Sequence, residues 1–182
     1  MGTLTLITGG IRSGKSRYAL ELAGRYTRGK CFLATAEVLD EEMKARIAWH
    51  RKERGSDFFT WEEPIKLAHA IQQVQTQYDL ILVDCLTLWV SNLLSRFLGA
   101  PKRIEEEIKS FLEKVNLRKT DFIFVTNEVG LGLVPDNALS RQFIDRLGSL
   151  NQELGRLCDE VILMVSGIPQ WMKGGVGARL DS

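Results

Sequence analysis

A chain of 182 residues, 45% of them hydrophobic, falls in the range of a single domain built on one substantial core. Lysine and arginine number 24 against 23 aspartate and glutamate residues, so the overall field gives no reason to expect a nucleic-acid or membrane-surface partner, and anions must be bound by a local site. The opening residues carry no basic leader or cleavage pattern, and no apolar run approaches the ~20 residues of a membrane span, so a cytoplasmic protein without membrane insertion is expected.

Short apolar runs alternate with segments of helical period, the pattern of β-α units that wind a mostly parallel sheet covered by helices on both faces. The first strand is expected at residues 4–8. It runs directly into Gly9-Gly10-Ile11-Arg12-Ser13-Gly14-Lys15-Ser16, which satisfies G-x-x-x-x-G-K-[ST] and precedes a helix expected at 15–25. Glycines let the backbone fold round phosphate oxygens with its N–H groups inward, and the helix N-terminus adds partial positive charge. Lys15 is expected to reach the β and γ phosphates and Ser16 to ligate Mg2+. The fold class is therefore α/β of the P-loop NTPase type.

A second strand is expected at 31–35 and a helix at 40–54, N-capped by Asp40 and followed by Gly55. On that helix an i, i+4 row holds Arg46, His50 and Arg54. Two arginines beside an imidazole disfavour its protonation, and a neutral ring among cations suits attack on phosphorus. A solvated histidine on a charged helix face is the alternative, and the commoner arrangement. The segment 55–63 holds a possible extra strand at 58–61, at an edge or in a flap. A helix follows at 64–77, where His69 has no basic neighbours and reads as structural or exposed.

The strand expected at 80–84 is apolar and ends in Asp84, as in a Walker B segment supporting a metal ion; a carboxylate capping the next helix is the other reading. Helices are expected at 86–98 and 102–117, the former with an apolar stripe of Trp89, Leu93, Leu94 and Phe97 that suits a core or an interface. After a strand at 122–126 the segment Asn127–Gly132 stands where α/β enzymes place functional loops, although a turn explains it equally. A glycine- and proline-containing loop at 130–137, a helix at 138–158, a strand at 161–165 and a tail from Gly174 complete the chain. Cys31, Cys85 and Cys158, widely spaced in apolar surroundings, read as reduced core residues.

The stretches GGIRSGKS, LATAEVLDEEMKARIAWHRKERG, TWEEP, DLILVDCLTLWVSNLL, VTNEVGLGLVP and LNQELGRLCDEVILMVSGIP, in this order through nearly the whole chain, resemble the bifunctional adenosylcobinamide kinase and adenosylcobinamide-phosphate guanylyltransferase family. The resemblance implies two steps of cobalamin assembly: phosphorylation of adenosylcobinamide by ATP or GTP, then transfer of GMP from GTP to adenosylcobinamide phosphate, giving adenosylcobinamide-GDP and pyrophosphate. It places a covalently guanylylated histidine in R-I-x-x-H-R, here Arg46-Ile47-Ala48-Trp49-His50-Arg51, and so implies a catalytic His50 beside Lys15. It also implies nucleotide contacts at Ala34, Thr35 and Ala36, at Arg51, Lys52, Glu53 and Arg54, and at Glu62 and Asp84, with Ser16 and Asp84 holding Mg2+. A homotrimer is the implied assembly. A P-loop small-molecule kinase without a covalent intermediate, or a regulatory P-loop NTPase, remains the competing reading of the loop alone.

Overall fold

The computed structural model describes residues 1–27, 29–37, 40, 41, 44, 48, 51, 52 and 57–175. The sheet holds seven strands: β1 (Leu4–Gly9), β2 (Lys30–Ala34), β3 (Phe58–Glu62), β4 (Leu80–Asp84), β5 (Asp121–Val125), β6 (Glu160–Val165) and β7 (Ile168–Lys173). Their order is β3-β2-β4-β5-β1-β6-β7, with every pair parallel except β6 and β7. β1 therefore sits inside the sheet, and all six of its residues are buried.

Five described helices flank the strands: α1 (Lys15–Ala23), α2 (Leu67–Val74), α3 (Leu86–Arg96), α4 (Pro101–Asn116) and α5 (Ala138–Leu157). Their ends follow local chemistry. Pro101 opens α4, where its missing N–H is no loss, and the Asn137 side chain caps α5 by accepting from the Ser140 N–H at 2.7 Å. Alternation along the strands divides the core in two. Leu4, Leu6, Leu33, Ile81, Val83, Phe122 and Phe124 face α2, α3, α4 and α5. Ile7, Phe32, Leu80, Leu82, Ile123, Val125, Ile162 and Met164 face the other way, onto Ala19, Leu22 and Ala23 of α1. Helices thus cover both faces, as the apolar strand runs imply.

The expected strands and helices recur with ends shifted by up to three residues. Of the helix expected at 40–54, the described residues 41, 44, 48, 51 and 52 are helical, whereas Arg46, Ile47, Trp49, His50, Glu53 and Arg54, like the tail beyond residue 175, lie outside the described residues. The segment at 58–61 is β3, an edge strand parallel to β2. The strand β7 was not expected. It pairs antiparallel with β6 through a two-residue turn in which Ser166 (φ 51°) and Gly167 (φ 83°) both lie in the left-handed region, as a tight hairpin of type I′ requires. Pro169 is tolerated there because β7 is an edge.

The stripe Trp89, Leu93, Leu94 and Phe97 packs into the core, each residue at most 7% exposed. Trp89 stacks obliquely on Phe111 at 4.9 Å, Phe111 meets Phe124 edge-on at 5.8 Å, and Phe124 stacks on Phe122 at 5.4 Å, tying α3, α4 and β5 together. Burial pushes the Cys31, Cys85 and Cys158 thiols up to about 12, so all three are free and protonated at neutral pH. No described helix is long and apolar enough to cross a membrane. Truncating the fully buried Phe111 to alanine should lower the unfolding free energy by about 3–5 kcal/mol in urea titrations. The exposed Lys109→Ala in the same helix should stay within about 0.5 kcal/mol of the parent.

Candidate active site

The loop between β1 and α1 is shaped by two glycines whose positive φ strains any other residue. Gly9 has φ 146°, and a Cβ there would stand 2.4 Å from the Met164 carbonyl oxygen of β6. Gly14 has φ 94° and caps α1; its Cβ would lie 3.3 Å from Gly167 Cα in the β6–β7 turn. Arg12 also takes a positive φ, 57°. The Gly167 N–H donates to the Ser13 carbonyl at 3.0 Å, so the hairpin turn buttresses the loop from behind. Gly10, Ile11 and Arg12 face solvent, whereas Ser13 and Lys15 are buried and Ser16 is half-buried at the start of α1.

Lys15 crosses the loop. Its Nζ donates to the Gly10 carbonyl at 2.6 Å and reaches Ser13 Oγ at 3.4 Å. Burial lowers its pKa below the ordinary 10.5, and the nearby Asp84 carboxylate opposes part of that shift. Strand register sets Asp84, at the end of β4, level with Val125 of β5 and through it with Ile7 of β1, the strand that runs into the loop. Ser16 and Asp84 supply a hydroxyl and a carboxylate, hard oxygen donors of the kind Mg2+ takes together with phosphate oxygens and water. Among the described residues no group of three or more His, Cys, Asp or Glu side chains stands together.

Strand register extends this edge. Ala34 is paired with Glu62 on one side and with Asp84 on the other, so the three sit level at the carboxyl ends of β3, β2 and β4. Glu62 forms an ion pair with Arg51, bringing the described residue next to His50 to the end of β3. Lys52 is exposed and Ala36 half-buried, while His50, Glu53 and Arg54 lie outside the described residues. Thr35 is fully buried: its hydroxyl donates to the Cys85 carbonyl at 2.7 Å and accepts from the Cys85 N–H at 2.9 Å, stitching β2 to the start of α3. Asn92 of α3 donates to the Thr35 and Pro64 carbonyls at 2.8 and 3.2 Å. Thr35 therefore sets the position of this edge through its neighbours. His69 is exposed on α2.

Residues 5–172 match the sequence model of the cobinamide kinase / cobinamide phosphate guanyltransferase family. This chain belongs to that family. The bifunctional adenosylcobalamin biosynthesis protein CobP of Pseudomonas aeruginosa is 41% identical over 169 residues, covering 93% of this chain and 96% of the relative. The CobU protein of Escherichia coli, with the same descriptive name, is 37% identical over 176 residues, covering 91% and 97%. Among solved structures the RadB recombinase superposes with a TM-score of 0.50 at 17% identity, covering 89% of this chain and 74% of that one, a likeness of fold alone.

For a cobinamide kinase / guanyltransferase family member, the segment after β5 is the part of this edge that sequence reasoning left open. It is anchored from three sides. The Asn127 N–H donates to Thr87 Oγ1 at 2.8 Å, the Glu128 N–H to the Gly9 carbonyl at 3.1 Å, and Asn151 of α5 donates to the Asn127 carbonyl at 3.1 Å. Thr126 donates to Asn151 Oδ1 at 2.9 Å. The signal in the sequence is three polar residues, Thr126, Asn127 and Glu128, set directly on the end of an apolar strand, with Asn151 interrupting the apolar face of α5.

The depressed pKa of Lys15 carries a stability consequence. Between the folded value and 10.5 the unfolded chain binds more protons, so wild-type stability should rise with pH through that interval. Lys15→Met should remove this alkaline gain and leave the urea midpoint at pH 7 equal to or above that of the wild type, because a buried ammonium is no longer desolvated. A lower midpoint at pH 7 would show that the Lys15 hydrogen bonds outweigh its burial.

Proposed function

We propose that this chain is a bifunctional enzyme of cobalamin biosynthesis that phosphorylates adenosylcobinamide with ATP or GTP and then transfers GMP from GTP to adenosylcobinamide phosphate through a guanylylated His50. The observation that carries the reading is the single sheet edge shared by the phosphate loop, Asp84 and the ion pair of Glu62 with Arg51, the residue that follows His50 in the sequence. Membership of the cobinamide kinase / cobinamide phosphate guanyltransferase family supports both reactions.

In the kinase step the backbone N–H groups of residues 9–16 and the amino end of α1 hold the β and γ phosphates, and Lys15 offsets the charge that builds on their oxygens. Ser16 and Asp84 would hold Mg2+, which when bound neutralises phosphate charge. In the transferase step His50 attacks the α phosphorus of GTP and a phosphoramidate bond forms as the bond to the pyrophosphate oxygen breaks. The phosphate of adenosylcobinamide phosphate then displaces GMP from the ring, which restores His50. Arg51 and Glu62 serve as nucleotide contacts flanking the histidine, with Ala34 and Ala36 lining the end of β2.

Incubation with Mg2+ and GTP labelled at the α phosphorus, followed by denaturation, should leave acid-labile, alkali-stable label on the protein. His50→Ala should abolish that label while sparing phosphorylation of adenosylcobinamide, and Lys15→Ala should impair both. An active, folded wild-type protein that retains no α label would replace this mechanism with a kinase that forms no covalent intermediate. The family resemblance also supports a homotrimer in solution. Light scattering on the purified chain should give three times the 20.6 kDa subunit mass, and a monomer mass would exclude that assembly.

A further inference from the structure

Glu128 follows β5, the strand that separates β4, ending in Asp84, from β1, which opens into the phosphate loop. Its N–H donates to the carbonyl of Gly9, the root of that loop, at 3.1 Å. Its carboxylate is fixed through one oxygen: Oε1 accepts from Thr8 Oγ1 at 2.7 Å and from Asn151 Nδ2 at 3.3 Å. Both donors are neutral, and among the described residues no lysine or arginine forms an ion pair with Glu128. The carboxylate is half-buried, and its second oxygen takes no hydrogen bond from the described residues. Apolar side chains stand in solvent on the two loops at this edge: Ile11 is 76% exposed in the phosphate loop, and Leu131, Leu133 and Val134 are 85%, 97% and 77% exposed just beyond Glu128. That combination fits a bulky, weakly polar molecule presenting a hydroxyl between the loop and the carboxylate.

We propose that Glu128 is the general base of the kinase half-reaction, taking the proton from the acceptor hydroxyl as its oxygen attacks the γ phosphorus. The inference rests on the two-step function proposed above. The acceptor oxygen bonds to the γ phosphorus, the bond from that phosphorus to the β–γ bridging oxygen breaks, nucleoside diphosphate leaves, and the hydroxyl proton passes to Glu128 and then to solvent. The transferase step needs no such base, because its acceptor is a phosphate that is already ionised. Glu128 should therefore matter to one reaction and not to the other.

Glu128→Gln keeps an oxygen for Thr8 and Asn151 to donate to while removing the basic site. With cobinamide and nucleotide labelled at the γ phosphorus, kcat should fall ~10²–10⁴-fold while the nucleotide KM stays within about threefold of wild type. With cobinamide phosphate supplied and GTP labelled at the α phosphorus, transfer should stay within about threefold of wild type. A γ transfer rate within about threefold of wild type overturns the proposal, and so does an equal fall in both transfers, which would make Glu128 a prop for the loop. Failure of the wild-type protein itself to phosphorylate adenosylcobinamide would overturn the parent function, and this role with it, in an arm that does not involve the variant.

Discussion

The pairing of β1 with β5 on one side and β6 on the other is the constraint from which the site follows. Leu4 meets Phe122 and Thr5 meets Glu160, contacts that close loops of more than a hundred residues. Only with both partners in place does the carboxyl end of β1 lie inside the sheet, with the Met164 carbonyl so close to Gly9 that a side chain there has no room. The loop turns sharply because β6 leaves it no other course, and Lys15 reaches back across it from the first turn of α1. Nonlocal pairing of this kind also places the chain among slowly folding topologies.

Around that strand the two faces of the sheet have separate tasks. One described helix, α1, covers the face onto which Ile7, Leu82 and Val125 project, and it carries Lys15 and Ser16 at its amino end. Four described helices cover the other face, and buried polar side chains on them reach main-chain groups. Thr87, Asn92 and Asn151 each bond a main-chain group of a connecting segment at the strand ends, and Thr35 does the same from the end of β2. Such bonds satisfy main-chain groups that burial would otherwise strand, and they leave each loop with one position. The rigidity of the candidate site is thus supplied from the side of the sheet that faces away from the nucleotide loop.

The phosphate loop, the β-α alternation and Asp84 were legible because each is a local pattern: glycines and a lysine at fixed offsets, or an apolar run ending in one carboxylate. Membership of the family was legible because ordered motifs span nearly the whole chain. The hairpin strand β7 was not, since its residues alternate exposed and half-buried, carry Pro169 and pair only at an edge; the Ser166-Gly167 turn was its one local mark. The part played by Thr35 was hidden for a different reason. Its hydroxyl engages Cys85, fifty residues away, and nothing in the neighbourhood of either residue encodes that meeting. The anchoring of Glu128 by Thr8 and Asn151 is of the same kind, a conjunction of three distant segments.

The contact between Gly167 and Ser13 has a bearing on how the protein is made. The loop and the turn that backs it are about 150 residues apart along the chain, so the loop leaves the ribosome well before its support. Until residue 167 has emerged, the nascent chain holds the letters of a phosphate loop without the turn that buttresses it.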